Sequence, residues 1–252
     1  MEAELGAARF SAEQLRTVVA SLDDDALIGP SNAIGWSIAD VLSHLGSMAV
    51  IIRRQIDDVL AGALTPDGFR QQVWDDWNAK SPRRKASDSL IEDTSVLDRF
   101  DSLTEEECSR FSLDLGPLTV DAALLLALRV GEHGMHTWDI AVALDPSATL
   151  PPQVAAVTVD NARPLAPLIG KSSGDDRQFV IHTTNPARHF VIDLKAGSVA
   201  LNVGSETDDA DLRLSTEGFA RLLFGRAGPQ HTPAFEGEAK VFQDLCRVFA
   251  GF

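Results

Sequence analysis

The spacing of apolar residues changes once along the chain, and this change constrains the fold more than any other feature. Up to about residue 145, apolar residues recur every three or four positions, which is typical of amphipathic helices. Beyond about residue 178 they recur at every second position in short segments, which is typical of strands. The segment "DPSATLPPQ", residues 145–153, contains three prolines and lies between the two patterns. We therefore predict two domains of different class, residues 1–148 and residues 149–252.

The first domain is predicted to be an up-and-down four-helix bundle. A first helix is expected to begin at Ser11, which forms a capping-box pattern with Gln14. A long helix follows, in which Ser37 is the predicted N-cap and Asp40 lies at the N3 position. Further helices are predicted at residues 66–81, 87–111 and 118–144, with a short extended piece at residues 111–116.

The second domain is predicted to be a small antiparallel sheet covered by helices, so the whole chain is assigned to the α+β class. Four β-branched segments separated by turn residues are the predicted strands: "QFVIHTT", "HFVIDLK", "VALNVG" and "ADLRLS". One helix is expected at residues 154–170 and another after Ser215, its predicted N-cap. The closing segment "AFEGEAKVFQDLCRVFAGF" is expected to be helical.

The charge of the chain argues against two classes of partner. The 252 residues carry a formal net charge of −15, which repels nucleic acid phosphates and anionic lipid headgroups, because binding to either relies on clustered Lys and Arg.

No apolar run is long enough to span a bilayer, and the start "MEAELGAARF" lacks the basic and apolar regions of a secretory signal. We expect a soluble, cytoplasmic protein.

The helix predicted at residues 118–144 carries ionisable residues where a buried helix normally carries Leu and Ala. Glu132 and His136 lie one turn apart and Asp139 lies three residues further, so all three project from one face. A Glu and a His in this arrangement can bind one metal ion, because Zn²⁺ accepts both imidazole nitrogen and carboxylate oxygen. His44, at the edge of the apolar stripe of an earlier helix, is the candidate third ligand.

The same residues are also compatible with roles that involve no metal. A core histidine can be hydrogen-bonded to an acidic residue, and Glu132 can form an ion pair with Arg129 on the preceding turn. His133 points about 60° away from His136 around the helix, so it is the least well placed of the ionisable residues. It either competes as a ligand or faces solvent.

Three segments resemble, in this order, the signatures of the mycothiol-dependent maleylpyruvate isomerase family: "GWSIADVLSHL", "GEHGMHTWDIAVAL" and "LRLSTEGFARLLFGR". The resemblance extends over nearly the whole chain. It implies a DinB-like, metal-binding four-helix domain followed by an α+β domain similar to sterol carrier proteins. It also implies a zinc ion held by His44, Glu132 and His136, mycothiol as the thiol cosubstrate, and Asp139 as the residue that orients His136.

The resemblance further implies that a basic residue of the second domain takes part in activity. Arg226 is the nearest match and Arg221 lies about one turn earlier; either would hold a substrate carboxylate at the domain interface. The implied reaction is attack by a metal-activated thiolate on an electrophilic small molecule, in a maleylpyruvate-type cis-trans isomerisation or an S-transfer. Two alternatives are a hydrolase that uses zinc-bound water on the same scaffold, and a non-catalytic protein that binds a metal or small molecule.

Overall fold

A computed structural model of the chain describes residues 1–172, 174, 176–207 and 209–251. The predicted second domain ends at residue 252, which lies outside these residues. The chain divides into two compact units, Met1–Thr149 and Leu150–Phe252. Within the described residues, no helix combines the length and the apolar character that crossing a bilayer requires.

Four long helices dominate residues 1–149, all of which are described: α1 (Glu2–Ala20), α3 (Ile38–Leu60), α5 (Pro82–Asp101) and α7 (Ala122–Leu144). The shorter elements are α2 (Asp24–Ile28), α4 (Phe69–Asn78), α6 (Glu105–Arg110) and the antiparallel strands β1 (Leu113–Asp114) and β2 (Thr119–Val120). Both α1 and α3 pack against α5 and against α7. The long helices therefore close into a ring of neighbours, which confirms the predicted four-helix bundle.

The start of α3 is fixed by the predicted capping box. The Asp40 amide donates to Ser37 Oγ at 3.2 Å, and the Ser37 amide donates to Asp40 Oδ2 at 3.1 Å. Most of the apolar stripe that follows is buried, including Val41 and Leu45. Because the cap sets where the helix begins and the stripe sets which face is buried, the position of His44 on the helix is fixed as well.

The first helix begins earlier than predicted. α1 starts at Glu2, and Ser11, the predicted N-cap, lies in the middle of the helix and is buried. The residues before Ser11 include the good helix formers Ala, Glu and Leu, and Ala7 and Ala8 are buried, so the helix extends through the capping-box pattern. Ser11 Oγ lies 2.7 Å from His133 Nδ1, so the hydroxyl serves a tertiary contact and not a helix cap.

The second unit combines helices with a sheet. Its strands are β3 (Arg177–Thr184), β4 (Arg188–Lys195), β5 (Ser198–Val203), β6 (Leu212–Ser215) and β7 (Phe235–Gly237). Its helices are α8 (Pro152–Asp160), α9 (Ala166–Ile169), α10 (Thr216–Leu223) and α11 (Ala239–Val248). Ser215 caps α10 as predicted, accepting from the Gly218 amide. This arrangement confirms the predicted α+β class.

Two details of the predicted sheet are wrong. The strand order among the described residues is β5-β4-β3-β6-β7, and β3 and β6 are parallel, so the sheet is mixed and not wholly antiparallel. The reason is that β6 does not pair with β5, the strand before it in sequence, but lies next to β3 on the far side of the sheet from β5. The closing segment is not wholly helical either, because Phe235–Gly237 pairs with β6 and Gly237 has φ 127, a value that favours glycine.

Two predicted helices are each divided. The helix expected at residues 87–111 becomes α5, which already begins at Pro82, and α6, because Thr104 and Glu107 form a second capping box. The helix expected at residues 154–170 becomes α8 and α9, with a proline in the first turn of α9. In both cases a second helix begins within the periodic segment, at a capping box in the first case and at a proline in the second.

Gly46→Ala is expected to destabilise the bundle, whereas Gly6→Ala should not. A Cβ at Gly46 would lie 2.1 Å from Cη2 of the buried Trp77 ring, so α3 and α4 would have to move apart, at a cost of about 1–3 kcal/mol. Gly6, on the exposed side of α1, has nothing within 4 Å of the added atom, and alanine there is worth roughly 0.5–1 kcal/mol of helix stability. Urea unfolding of both variants measures the difference, and equal effects at the two positions contradict the expectation.

Candidate functional site

Three ionisable side chains from two facing helices converge in the bundle. His44 on α3 places Nε2 2.8 Å from Oε1 of Glu132 on α7, and the ring centroids of His44 and His136 are 4.9 Å apart. These are the residues for which the sequence predicts a metal site. Their side chains are 22%, 31% and 14% exposed for His44, Glu132 and His136, so a small molecule in solution can reach the cluster.

Trp36 covers the two histidines. Its ring stacks on His136 with centroids 5.7 Å apart and an interplanar angle of 17°, and its centroid lies 5.2 Å from that of His44. The Trp36 carbonyl accepts from the amide and the hydroxyl of Ser31, both at 2.9 Å, which holds the loop before α3 in place. The sequence did not mark Trp36 as part of the site, although its place directly before the cap of the His44 helix is a signal that could have done so.

His136 is oriented by a buried carboxylate. Its Nδ1 lies 3.1 Å from Oδ2 of Asp139, whose side chain is fully buried. Asp139 Oδ1 accepts from Asn32 Nδ2 at 3.1 Å, and the Asn32 amide donates to the Asp139 carbonyl at 2.9 Å. A carboxylate accepts hydrogen bonds, so Nδ1 carries the proton and the lone pair of the neutral ring lies on Nε2. This is the tautomer that a metal-binding histidine uses.

The charge states of the cluster suit a cation. Burial lowers the pKa of His136, and the neighbouring charge of His44 lowers it further against the opposing effect of Asp139, so the ring is neutral near pH 7. Burial alone would raise the pKa of Glu132, but the hydrogen bond and charge of His44 and the charge of Arg129 lower it to about 2. The cluster therefore combines a neutral imidazole with a carboxylate anion.

The donor atoms are not arranged as a finished metal site. In the described part of the chain, no group of three or more His, Cys, Asp and Glu side chains has the geometry to hold a metal ion as it stands. Glu132 Oε1 and His44 Nε2 hydrogen-bond to each other, and Glu132 Oε2 lies 3.8 Å from Arg129 Nη1. The hydrogen-bonded histidine and the ion pair that the sequence left open are thus both present. The two imidazoles and one carboxylate still match in type the donors that zinc accepts.

His133 neither faces solvent nor reaches the cluster, so both expectations for it are wrong. It is buried against α1 and α5, where Nε2 lies 2.8 Å from Asp93 Oδ2 and Nδ1 lies 2.7 Å from Ser11 Oγ. Asp93 also accepts from Arg129 Nη2 at 2.5 Å. Burial alone would raise the pKa of Asp93, but the charges of His133 and Arg129 outweigh it, so the pKa lies below its ordinary value. A tertiary network that joins three helices left no local pattern in the sequence.

The two candidate arginines lie in the second unit. Arg221 is buried on α10, where its guanidinium pairs with Glu217 one turn earlier and donates to the His231 carbonyl. Arg226 lies just beyond α10, is half-buried, and donates from Nη1 to the Phe224 carbonyl at 2.8 Å. The role of either in activity stays a prediction.

Comparisons with known proteins point to one family. Residues 8–141, just over half of the chain, match a family model described as the mycothiol maleylpyruvate isomerase N-terminal domain. The fold is similar to a crystal structure of the mycothiol-dependent maleylpyruvate isomerase, with a TM-score of 0.65 and 17% identity over 92% of this chain and 90% of that chain. A crystal structure of a variant of that isomerase, with a histidine replaced by alanine, gives a TM-score of 0.64 at 17% identity, covering 89% of each chain. No curated protein matches the sequence.

Glu132→Gln is expected to make stability less sensitive to acid. Since the pKa of Glu132 is about 2 in the folded protein against 4.5 ordinarily, the unfolded chain takes up this proton first as the pH falls. The carboxylate therefore stabilises the fold above pH 4.5, and this stabilisation is lost between pH 4.5 and 2. From about pH 6 to about pH 3.5, the unfolding free energy should fall on the order of 1 kcal/mol more for the wild type than for the variant.

Urea unfolding with a chelator present measures this difference. Glu13→Gln is the matched control, because Glu13 is an exposed glutamate on α1 that pairs with the neighbouring Arg16. The control should show the wild-type dependence. Parallel losses of stability in the wild type and Glu132→Gln would contradict the expectation.

Proposed function

Since the chain belongs to the mycothiol maleylpyruvate isomerase family, we propose that it is an enzyme that uses mycothiol as a thiol cosubstrate in the isomerisation of an electrophilic small molecule. The observation that carries this proposal is the convergence of His44, Glu132 and His136 on two facing helices. The cluster lies within the part of the chain that matches the family model. It is partly exposed, as a site for small molecules must be.

The proposed metal is zinc, held by His44, Glu132 and His136. The fit rests on the donor set, two imidazoles and one carboxylate, and on the tautomer of His136, whose Nε2 carries the lone pair. A zinc ion bound there would lower the pKa of a thiol, which is near 8.5 when free, so that the thiolate forms at neutral pH. Glu132 supplies the one negative charge among the three donors.

The other residues of the site hold and shield these donors. Asp139 keeps the proton of His136 on Nδ1, and Asn32 in turn holds Asp139 Oδ1. The Trp36 ring covers both imidazoles and limits the access of water, which strengthens electrostatic interactions beneath it. The Trp36 side chain is partly exposed, so it can also contact a conjugated substrate.

The proposed reaction is cis-trans isomerisation of a maleylpyruvate-type substrate. The thiolate forms a carbon–sulfur bond to one carbon of the conjugated double bond, the resulting single bond rotates, and elimination of the thiolate restores the double bond in the trans form. The thiol is regenerated, so none is consumed. In an S-transfer the carbon–sulfur bond persists, and one thiol is consumed for each product.

The wild-type protein is expected to bind about one equivalent of zinc after purification under mild conditions. His44→Ala removes one of the three proposed donors and should lower the zinc content severalfold. His189→Gln on β4 is the control, because it replaces a histidine outside the cluster. Metal analysis by mass spectrometry provides the measurement. Less than about half an equivalent in the wild type, unchanged by His44→Ala, would rule out the zinc site and favour a protein in which these residues only bind one another.

Isomerisation is expected to require a low-molecular-weight thiol. With mycothiol present, NMR of a maleylpyruvate-type substrate should show the trans product accumulating while the thiol concentration stays constant. Without thiol, turnover should fall to the uncatalysed rate, because no nucleophile is available for addition. Turnover that persists without thiol would show that the mycothiol assignment is wrong, and hydrolysis products in place of the trans isomer would favour the hydrolase alternative. Loss of one thiol per product would identify a transferase.

A further inference from the structure

Arg129 contacts both helices that carry the cluster. Its side chain is 2% exposed, and from α7 its Nη2 donates to the Leu45 carbonyl of α3 at 3.0 Å. The same Nη2 donates to Asp93 Oδ1 on α5 at 2.5 Å. The other terminal nitrogen, Nη1, lies 3.8 Å from Oε2 of Glu132. One planar group therefore links three helices and faces the carboxylate of the site.

The contacts of Arg129 fall beside two of the three proposed metal donors. Leu45 follows His44 directly on α3, and Glu132 lies on the next turn of α7. We propose that Arg129 is a positioning residue, which fixes Glu132 and His44 relative to each other by joining the turns that carry them. This inference rests on the proposed metal site. A guanidinium suits this role because its donors lie in one rigid plane, whereas a lysine ammonium at the end of a flexible stem has no fixed fork.

The unpartnered nitrogen of Arg129 supports this role. Nη1 is buried and has no hydrogen-bond partner among the residues that the structure describes, which costs free energy in a protein core. Asp93 binds Nη2 through Oδ1, and its other oxygen, Oδ2, lies 2.8 Å from His133 Nε2, so Nη1 is left to face the site. Nη1 lies 3.8 Å from Oε2, and the other oxygen of Glu132, Oε1, contacts His44. The charge of Arg129 thus attracts one oxygen of the carboxylate while the other faces His44.

Arg129 is itself held in place by buried partners. Asp93 Oδ1 binds Arg129 and Asp93 Oδ2 binds His133 Nε2, whose Nδ1 lies 2.7 Å from Ser11 Oγ and 3.3 Å from Thr137 Oγ1. These contacts come from α1, α5 and α7, and the Leu45 carbonyl adds α3. All four long helices of the bundle therefore take part in fixing one guanidinium. A packed, hydrogen-bonded support of this kind is what holds metal ligands at their working positions.

The decisive variant is Arg129→Lys, tested by the affinity of the purified, full-length protein for zinc. The substitution keeps the positive charge and loses the planar fork, so it separates positioning from electrostatics. We expect the dissociation constant for Zn²⁺, measured by competition with a chromophoric chelator, to rise about 10- to 100-fold, as is typical when the support of a metal ligand is removed. An effect of charge alone would leave this constant unchanged in Arg129→Lys.

Arg99→Lys is the matched control. Arg99 also joins α5 to α3, through Asp57 at 2.7 Å, but Asp57 lies roughly 20 Å along α3 from His44. The control should bind zinc with the wild-type affinity. A loss in Arg129→Lys alone supports the proposal, whereas an Arg129→Lys constant within twofold of the wild type, or equal losses in both variants, overturns it.

Two further outcomes have defined meanings. If Arg129→Lys does not fold, the dissociation constant for Zn²⁺ is measured for Asp93→Asn and compared with the wild type and the control in the same way. This variant removes the carboxylate charge that anchors Arg129 and keeps the arginine itself. If the wild type itself binds no zinc, the proposed metal site is wrong and the positioning role falls with it. Wild-type binding with unchanged variants overturns the positioning role alone.

Discussion

Arg129 and Asp93 place two opposite charges in the middle of the helical bundle, where their side chains are 2% and 3% exposed. Removing such charges from water is costly unless each finds close partners, and leaving one unpaired costs more than the pair contributes. Here Asp93 contacts His133, which in turn contacts Ser11, and Arg129 donates to the Leu45 carbonyl, so the charges are tolerable only when all four long helices lie in one arrangement. Apolar packing alone would allow helices to slide or rotate by small amounts. We infer that the ion pair restricts this freedom and keeps the two sides of the site in register.

The candidate site lies between α7, which carries Arg129, and α3, whose first turn is capped. Glu132 and His136 are one turn apart on α7, and His44 faces them from α3, whose start is fixed by the Ser37 capping box. Asp139 sets the tautomer of His136 from the same helix. Each donor therefore stands on a helix whose position is determined by contacts outside the site. Metal and thiol chemistry depends on such positioning, because small displacements of a donor weaken binding strongly.

Much of the fold and part of the candidate site could be predicted from the sequence. Helix periodicity and the cap at Ser37 are local signals, and the spacing of Glu132, His136 and Asp139 follows from the helix period alone. His44 lies on another helix, so geometry could only suggest it, and the family resemblance singled it out. The prediction that Ser11 is an N-cap was wrong, because a capping-box pattern can also lie inside a helix when good helix formers precede it. The burial of His133 and the parallel pairing of β6 depend on residues distant in sequence, which no local pattern reveals.

The loop between α2 and α3 forms part of the wall of the candidate site, whereas the proposed metal donors lie on helices. Asn32 and Trp36 both lie on it, one attached to Asp139 and the other covering the imidazoles, while Ile34 between them is 98% exposed. The proposed donors lie on helices and not on this loop, and of the loop residues Asn32 supports His136 through Asp139. A substitution at the exposed Ile34 can therefore change the surface beside the site and leave the donors in place. The exposed part of this short segment can vary in shape and polarity while the helices that carry the proposed donors keep their positions.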